Sequence, residues 1–218
     1  MKNTLKIAIF GATGHVGSQL VNLALAQGHT VTAFMRTPAK LAQAGVQVGH
    51  GRLRVLRGDV RDAEQIAGAV SGQDAVISAI GRSQGAQADL LGLLAQNLLT
   101  AMQTHDVSRL ISLAGVGVLT KSDQLDVGAQ FKRYLLQLLN AQQMADAQRH
   151  AALLQASELC WTLVRPSRLT DQPPSGSYRC GSLKLGLNAQ IARADLADFM
   201  LKLATQGGFE REAPMLSY

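Results

Sequence analysis

The chain has 218 residues, 47% hydrophobic and 17% charged, which is enough for one folded domain with a substantial core and excludes a disordered chain. Its formal charge is +6, but the basic residues are scattered apart from Arg52, Arg54, Arg57 and Arg61. Aromatic residues make up only 4%, too few for a base-stacking platform, so the charge suits an anionic cofactor better than nucleic acid. No apolar run reaches the length of a membrane span, and the N-terminus has no long apolar segment or cleavage site. A cytoplasmic protein without a membrane partner is therefore expected. Cys160 and Cys180 form no C-x-x-C motif, and the five histidines lack metal-ligand spacing, so neither a disulfide nor a metal is expected.

The first predicted strand covers 5–10. It runs into Gly11-Ala12-Thr13-Gly14-His15-Val16-Gly17, after which Val16, Leu20, Leu23 and Ala24 recur at helical spacing. The glycines thus sit on a strand-to-helix turn, with the helix over 15–27 and Gly28 as its stop. In such a turn Gly11 permits the tight bend. Gly14 leaves space for a pyrophosphate against the backbone, and Gly17 lets the helix pack closely on the sheet. The free N–H groups of Thr13, His15 and Val16 then face phosphate. Strand two is predicted over 30–35, and a helix follows Thr37-Pro38 through 44. Strand three covers 53–57, Asp62 caps a helix through 70, strand four covers 75–80, a long helix spans 89–104 and strand five spans 109–113.

Strand alternating with helix in this way predicts a doubly wound parallel sheet with helices on both faces. The second half is less regular. Stretches 130–140 and 142–157 read as one broken helix or two consecutive ones. Strand six covers 161–164 and ends at Arg165-Pro166, and 171–177 is a loop. A short strand at 190–191, a helix over 195–204 and an edge strand over 215–218 complete a small C-terminal extension on the substrate side of a single domain, 1–218.

Gly-Ala-Thr-Gly-x-x-Gly resembles the nucleotide turn of the atypical short-chain dehydrogenases. Val31 to Arg36, Arg57-Gly58-Asp59-Val60, Arg109 to Gly115, Trp161 to Pro166 and Ala192 to Phe199 extend the resemblance over nearly the whole chain. Together they resemble the short group that includes NmrA-like proteins and biliverdin-IXβ reductase, also called flavin reductase. The resemblance implies a Rossmann-type NAD(P)-binding domain, with Asp59 at the adenine amino group and Val60 next to it as a further cofactor-binding residue; a turn or helix-capping role is the alternative for Asp59. Where NAD-specific folds carry an acidic residue at the end of strand two, this chain has Met35-Arg36-Thr37, and no acidic residue precedes Asp59. Arg36 cannot accept a ribose hydroxyl but suits a 2′-phosphate, so NADPH is expected over NADH. At the end of strand four, small residues at Ala79 and Gly81, flanking Ile80, leave room for the cofactor's sugars. Arg82 either reaches a phosphate or an acidic substrate, or is an exposed loop residue.

The Tyr-x-x-x-Lys pair of ordinary short-chain dehydrogenases is missing: Tyr134, Tyr178 and Tyr218 have no lysine four residues on. On the helix before Trp161, Asp146 and His150 share a face at i,i+4 spacing. They form either a proton donor with its orienting carboxylate or, as preferred here, a surface pair. Ser112, late in strand five, either faces the nicotinamide or bonds its own backbone. The expected activity is NADPH-dependent reduction of a small acceptor such as a flavin or quinone-like compound, which needs little acid catalysis. A non-catalytic NADP(H) sensor of the NmrA kind is the alternative. Pocket walls are expected from segments 82–88, 115–120 and 167–181.

Overall fold

Ile7 and Ile9 belong to one side of the first strand and Ala8 and Phe10 to the other, and each side is sealed by a different set of helices. The computed structural model describes residues 4–81, 89–118, 127–186 and 188–218. In chain order the elements are β1 (Lys6–Phe10), α1 (His15–Ala26), β2 (Thr30–Met35), α2 (Ala39–Gln43), β3 (Leu53–Arg57), α3 (Ala63–Val70), β4 (Ala75–Ser78) and α4 (Leu90–Thr104). They continue as β5 (Arg109–Leu113), α5 (Val127–Ala156), β6 (Cys160–Pro166), β7 (Arg168–Thr170), β8 (Arg179–Gly181), β9 (Gln190–Ala192), α6 (Arg193–Gln206) and β10 (Met215–Ser217).

The main sheet has the order β3-β2-β1-β4-β5-β6-β10-β8, parallel except for β8 against β10, while β7 and β9 form a separate parallel pair. Chain direction across the sheet reverses between β1 and β4, so the carboxyl ends of these two strands open the crevice in which such folds place ligands. On one face Ile7, Ile9, Val31 and Ile77 pack against Leu20 and Ala24 of α1 and Leu196 and Met200 of α6. On the other, Phe10, Val76, Leu110 and Leu163 meet Ile66 of α3, Leu98 of α4 and Leu154 of α5. Each such buried side chain contributes on the order of 1.5–3 kcal/mol, so strands apolar on both faces fix the layers.

Polar ties set the element ends. Asp62 accepts the Gln65 N–H at 3.1 Å and caps α3 as predicted. At the C-terminus of α6, Arg109 donates to Leu203 O at 2.9 Å and Gly208 O at 3.0 Å, placing a cation on the helix's negative end.

Three expectations are corrected. The two stretches read as broken or consecutive helices are one helix, α5. Within it the only strong breaker is Gly128, next to its start, so nothing interrupts the hydrogen-bond ladder. The last strand, β10, is not at the edge; it lies between β6 and β8, pairing Leu216 with both Pro166 and Cys180. Strand six runs on through Arg165 and Pro166, and β7 and β8 are additional strands. Among the described residues no helix is long and apolar enough to cross a membrane.

Candidate functional site

The glycine turn is built by the backbone. Gly11 has φ +80°, a conformation that side chains resist, and its carbonyl accepts the Gly14 N–H at 3.0 Å to close the bend. A Cβ at Gly17 would lie 2.1 Å from Gly11 O and 3.0 Å from Ala12 Cα. Gly17 therefore serves the packing of α1 on the turn itself, a closer constraint than the helix-to-sheet contact expected. Gly14 and His15 are exposed, Thr13 is half-buried, and Val16 is buried beneath them. Among the described residues no side chain caps α1, and no acidic residue sits in its first turn. Its leading N–H groups and the helix dipole thus stay available to an anion. A Cβ at Gly11 would also lie 2.9 Å from Ile80 Cγ1 and 3.2 Å from the Ala79 carbonyl carbon, so the turn and the segment after β4 meet at the switch point as predicted. Gly81 lies next to Leu113 across the same end of the sheet. Arg82, and the expected wall 82–88, lie outside the described residues, as do 119 and 120 of the second wall.

At the other end of the crevice, a cleft of about 400 Å³ is lined by Arg36, Arg57, Gly58, Asp59 and Gln65. The structure thus brings Arg36 and Asp59 to one place. Gln65 braces the loop: its Oε1 accepts the Asp59 N–H at 2.9 Å and its Nε2 donates to Asp62 Oδ2 at 2.7 Å. Asp59 in turn accepts the Arg61 N–H at 3.0 Å and lies 3.7 Å from the Arg61 guanidinium. Val60 differs from expectation, since its side chain is buried in the α3–α4 face and its carbonyl accepts Asn97 Nδ2 at 3.0 Å. Arg57, Gly58 and Gln65 were missed as cleft residues. The signal was present in Arg57-Gly58-Asp59, because a strand's last residue beside Arg36 must share its outlet.

The i,i+4 pair on α5 is not on the surface. Asp146 is 6% exposed and His150 3%, which overturns the surface reading. Asp146 does not act through His150 either: its two carboxylate oxygens accept the Leu91 N–H at 2.9 Å and the Gly92 N–H at 2.8 Å. It caps α4 from a neighbouring helix, because Asp89, the N-cap residue of α4, makes no side-chain cap. His150 Nε2 instead lies 3.0 Å from Ser112 Oγ, so Ser112 bonds a side chain rather than its own backbone. Burial pushes the His150 imidazole down to about 4, against the partial opposing pull of the Asp146 carboxylate, so it is neutral near pH 7. Its Nδ1 and the Oγ of Ser78, the register partner of Ser112, have no hydrogen bond among the described residues. Ser112 is two strands, about 10 Å, from β1 along the same end of the sheet.

The second and third walls are held by polar anchors, Arg165 and Asp195, that lie in two of the stretches carrying the family resemblance. Arg165, 3% exposed, donates to Ala213 O at 2.9 Å and to Val118 O at 3.0 Å, fixing the loop after β5. Asp195, buried at the start of α6, accepts the N–H groups of Ser175 at 2.9 Å and Gly176 at 3.0 Å, which ties down the 171–177 loop. Burial pushes the Asp195 carboxyl up, but the Tyr218 hydroxyl together with the Ser175 and Gly176 bonds outweighs it and holds the carboxyl below its ordinary range. No group of three or more potential metal ligands occurs among the described residues.

An uncapped helix start, an open glycine turn and a cationic cleft at the end of β2 fit the pyrophosphate and ribose of a dinucleotide, and with this sheet order they define a Rossmann-type nucleotide-binding protein. The chain belongs to the NAD(P)H-binding family, whose model matches residues 11–207. YwnB, an uncharacterized protein of Bacillus subtilis, is 29% identical over 205 residues, covering 88% of this chain and 89% of that one. ChuY, an anaerobillin reductase from Escherichia coli O157:H7, superimposes with a TM-score of 0.74 at 24% identity, over 97% of this chain and 96% of its own. A wide-type short-chain dehydrogenase/reductase from Veillonella parvula, solved in complex with NADP, gives a TM-score of 0.79 at 18% identity, over 98% of this chain and 94% of its own.

Proposed function

We propose that the protein is an NADPH-dependent reductase that passes hydride to a small conjugated acceptor, a flavin or quinone-like compound. The observation that carries this reading is the cationic cleft at the ends of β2 and β3, where an NAD-specific site would offer a carboxylate to the ribose. Bound NADPH would supply the hydride. The chain's residues position it: the first turn of α1 holds the pyrophosphate, Arg36 the 2′-phosphate, and Ala79 to Gly81 the adjoining sugar. A conjugated acceptor delocalises the charge it gains, so it needs no strong acid. The neutral His150, hydrogen-bonded to Ser112, is consistent with that demand. In this reading Ser112 and His150 are positioning residues, and Asp146 acts by setting the start of α4. The fold shared with ChuY carries reductase chemistry in that protein.

A charge-assisted bond from Arg36 contributes about 1.5–3 kcal/mol, a preference of roughly ten- to a hundredfold for NADPH over NADH. Arg36→Ala should remove most of that preference and leave NADH binding nearly unchanged. Arg36→Asp should reverse it, repelling the phosphate and offering the ribose an acceptor. Dissociation constants for both cofactors on the wild type and the two variants test this, and equal affinities in the wild type would refute the NADPH assignment. One observation favours the second reading, an NADP(H) sensor: Ser112 and His150 are 1% and 3% exposed, withdrawn from any acceptor at the surface. NADPH oxidation across a panel of flavins and quinones separates the two, because a sensor binds the cofactor without turnover.

A further inference from the structure

We propose that Arg57 is a second reader of the cofactor's 2′-phosphate, gripping it from β3 while Arg36 grips it from β2; this rests on the NADPH reading above. Met35 and Arg57 are partners across the parallel β2–β3 ladder, and the Gly58 N–H donates to Met35 O at 2.9 Å. Arg36, the residue after Met35, and Arg57 therefore leave neighbouring strands about 5 Å apart. Both side chains line the same cleft, and both residues are exposed. Among the described residues neither guanidinium makes a hydrogen bond or ion pair with the protein, in contrast to Arg61 on Asp59, Arg193 on Asp171 and Arg211 on Glu158. Among the described residues that line the cleft the one carboxylate, Asp59, is answered by Arg61.

Two unpaired guanidiniums on adjacent strands repel each other unless an anion lies between them. A phosphate monoester carries about −1.5 to −2 charges near neutral pH and three acceptor oxygens, enough for a planar fork from each side. A single ribose hydroxyl offers neither the charge nor the acceptors. The Gln65 brace on the Asp59 and Asp62 segment holds the far wall of the cleft in place, so the site is formed before a ligand enters.

The test uses the whole protein with two probes that differ only in the phosphate of interest, 2′,5′-ADP and 5′-AMP. The wild type should bind 2′,5′-ADP about a hundredfold more tightly. Arg57→Ala and Arg36→Ala should each narrow that ratio by about tenfold with the 5′-AMP affinity held within twofold. The double variant should bring the ratio close to one. Arg57→Lys should keep part of the discrimination, since a point charge replaces the fork. If Arg57→Ala keeps the wild-type ratio while Arg36→Ala collapses it, Arg57 is not a contact and the NADPH reading survives. If Arg57→Ala loses 5′-AMP in parallel, its role is structural and the proposal is overturned. A wild-type ratio of one removes the NADPH reading together with this inference.

Discussion

Two glycines three residues apart do different physical work, and substitution separates them. A Cβ at Gly14 meets only Gly11 O, at 3.3 Å, and its backbone is extended, with φ −79° and ψ 164°. Gly14→Val should therefore fold with a melting temperature near that of the wild type but lose dinucleotide binding, because the side chain occupies the pyrophosphate's place. Gly17→Val should do the reverse in order of severity: its Cβ would overlap a backbone oxygen, and overpacking costs about 1–3 kcal/mol or more. Thermal melts alongside an NADPH titration check both. Unchanged NADPH affinity in Gly14→Val would mean that the anion does not sit on this turn. The spacing of the glycines was legible in the sequence because each requirement is local. What Gly17 packs against was not, because that depends on how α1 turns back over Gly11.

Asp146 shows the same division for elements. Spacing alone places it on one face of α5 with His150, but not which neighbour that face meets. Packing of α5 on α4 turns the carboxylate into the N-terminal cap of α4. Asp146→Ala would leave two buried N–H groups unsatisfied and remove a charge from the helix's positive end. A loss of about 2–4 kcal/mol in urea unfolding is expected, with Asp146→Asn keeping part of it. A loss below about 0.5 kcal/mol would show that α4 starts without this cap. The strands of the first half were legible because most are short apolar runs closed by a turn or helix cap, as Thr30–Met35 and Ala75–Ser78 are. Arg179-Cys180-Gly181 has no such pattern: it becomes a strand only by pairing with β10, far along the chain, and no window around it contains that information. The cationic cleft was half legible, through Arg36. Arg57 is marked as the last residue before Gly58-Asp59, but only the ladder that sets it opposite Met35 puts it beside Arg36.

At the scale of the molecule, buried His150 makes stability depend on acidity. Its folded pKa of about 4 lies below its ordinary value of 6.5, so the unfolded chain takes up the proton first. Stability is therefore at its full value above about pH 6.5 and falls as the pH drops toward 4. The loss at pH 5 relative to pH 7 comes to about 2 kcal/mol from this group. His29, whose pKa is also lowered by burial, acts in the same direction. His150→Gln should flatten the pH dependence of the urea midpoint between pH 7 and 5, and wild-type-like acid sensitivity in that variant would show that the imidazole is not the titrating group. The same variant should change turnover by less than about tenfold, whereas a hundredfold fall would mark His150 as a general acid. The sheet order has one more consequence, for biosynthesis. Among the described residues strand β8 has a single partner, β10, and β10 also covers the open side of β6. On a ribosome adding about 5–20 residues each second, β1 to β6 are made before α6, which covers one face of β1 and β4, and before β10, so β6 shows a bare edge and β8 lacks its partner until β10 is made. For those seconds the nascent chain is a sheet with one uncovered face and an unfinished flank, and the edge of β6 is where a chaperone would find it or a neighbouring nascent chain would stick.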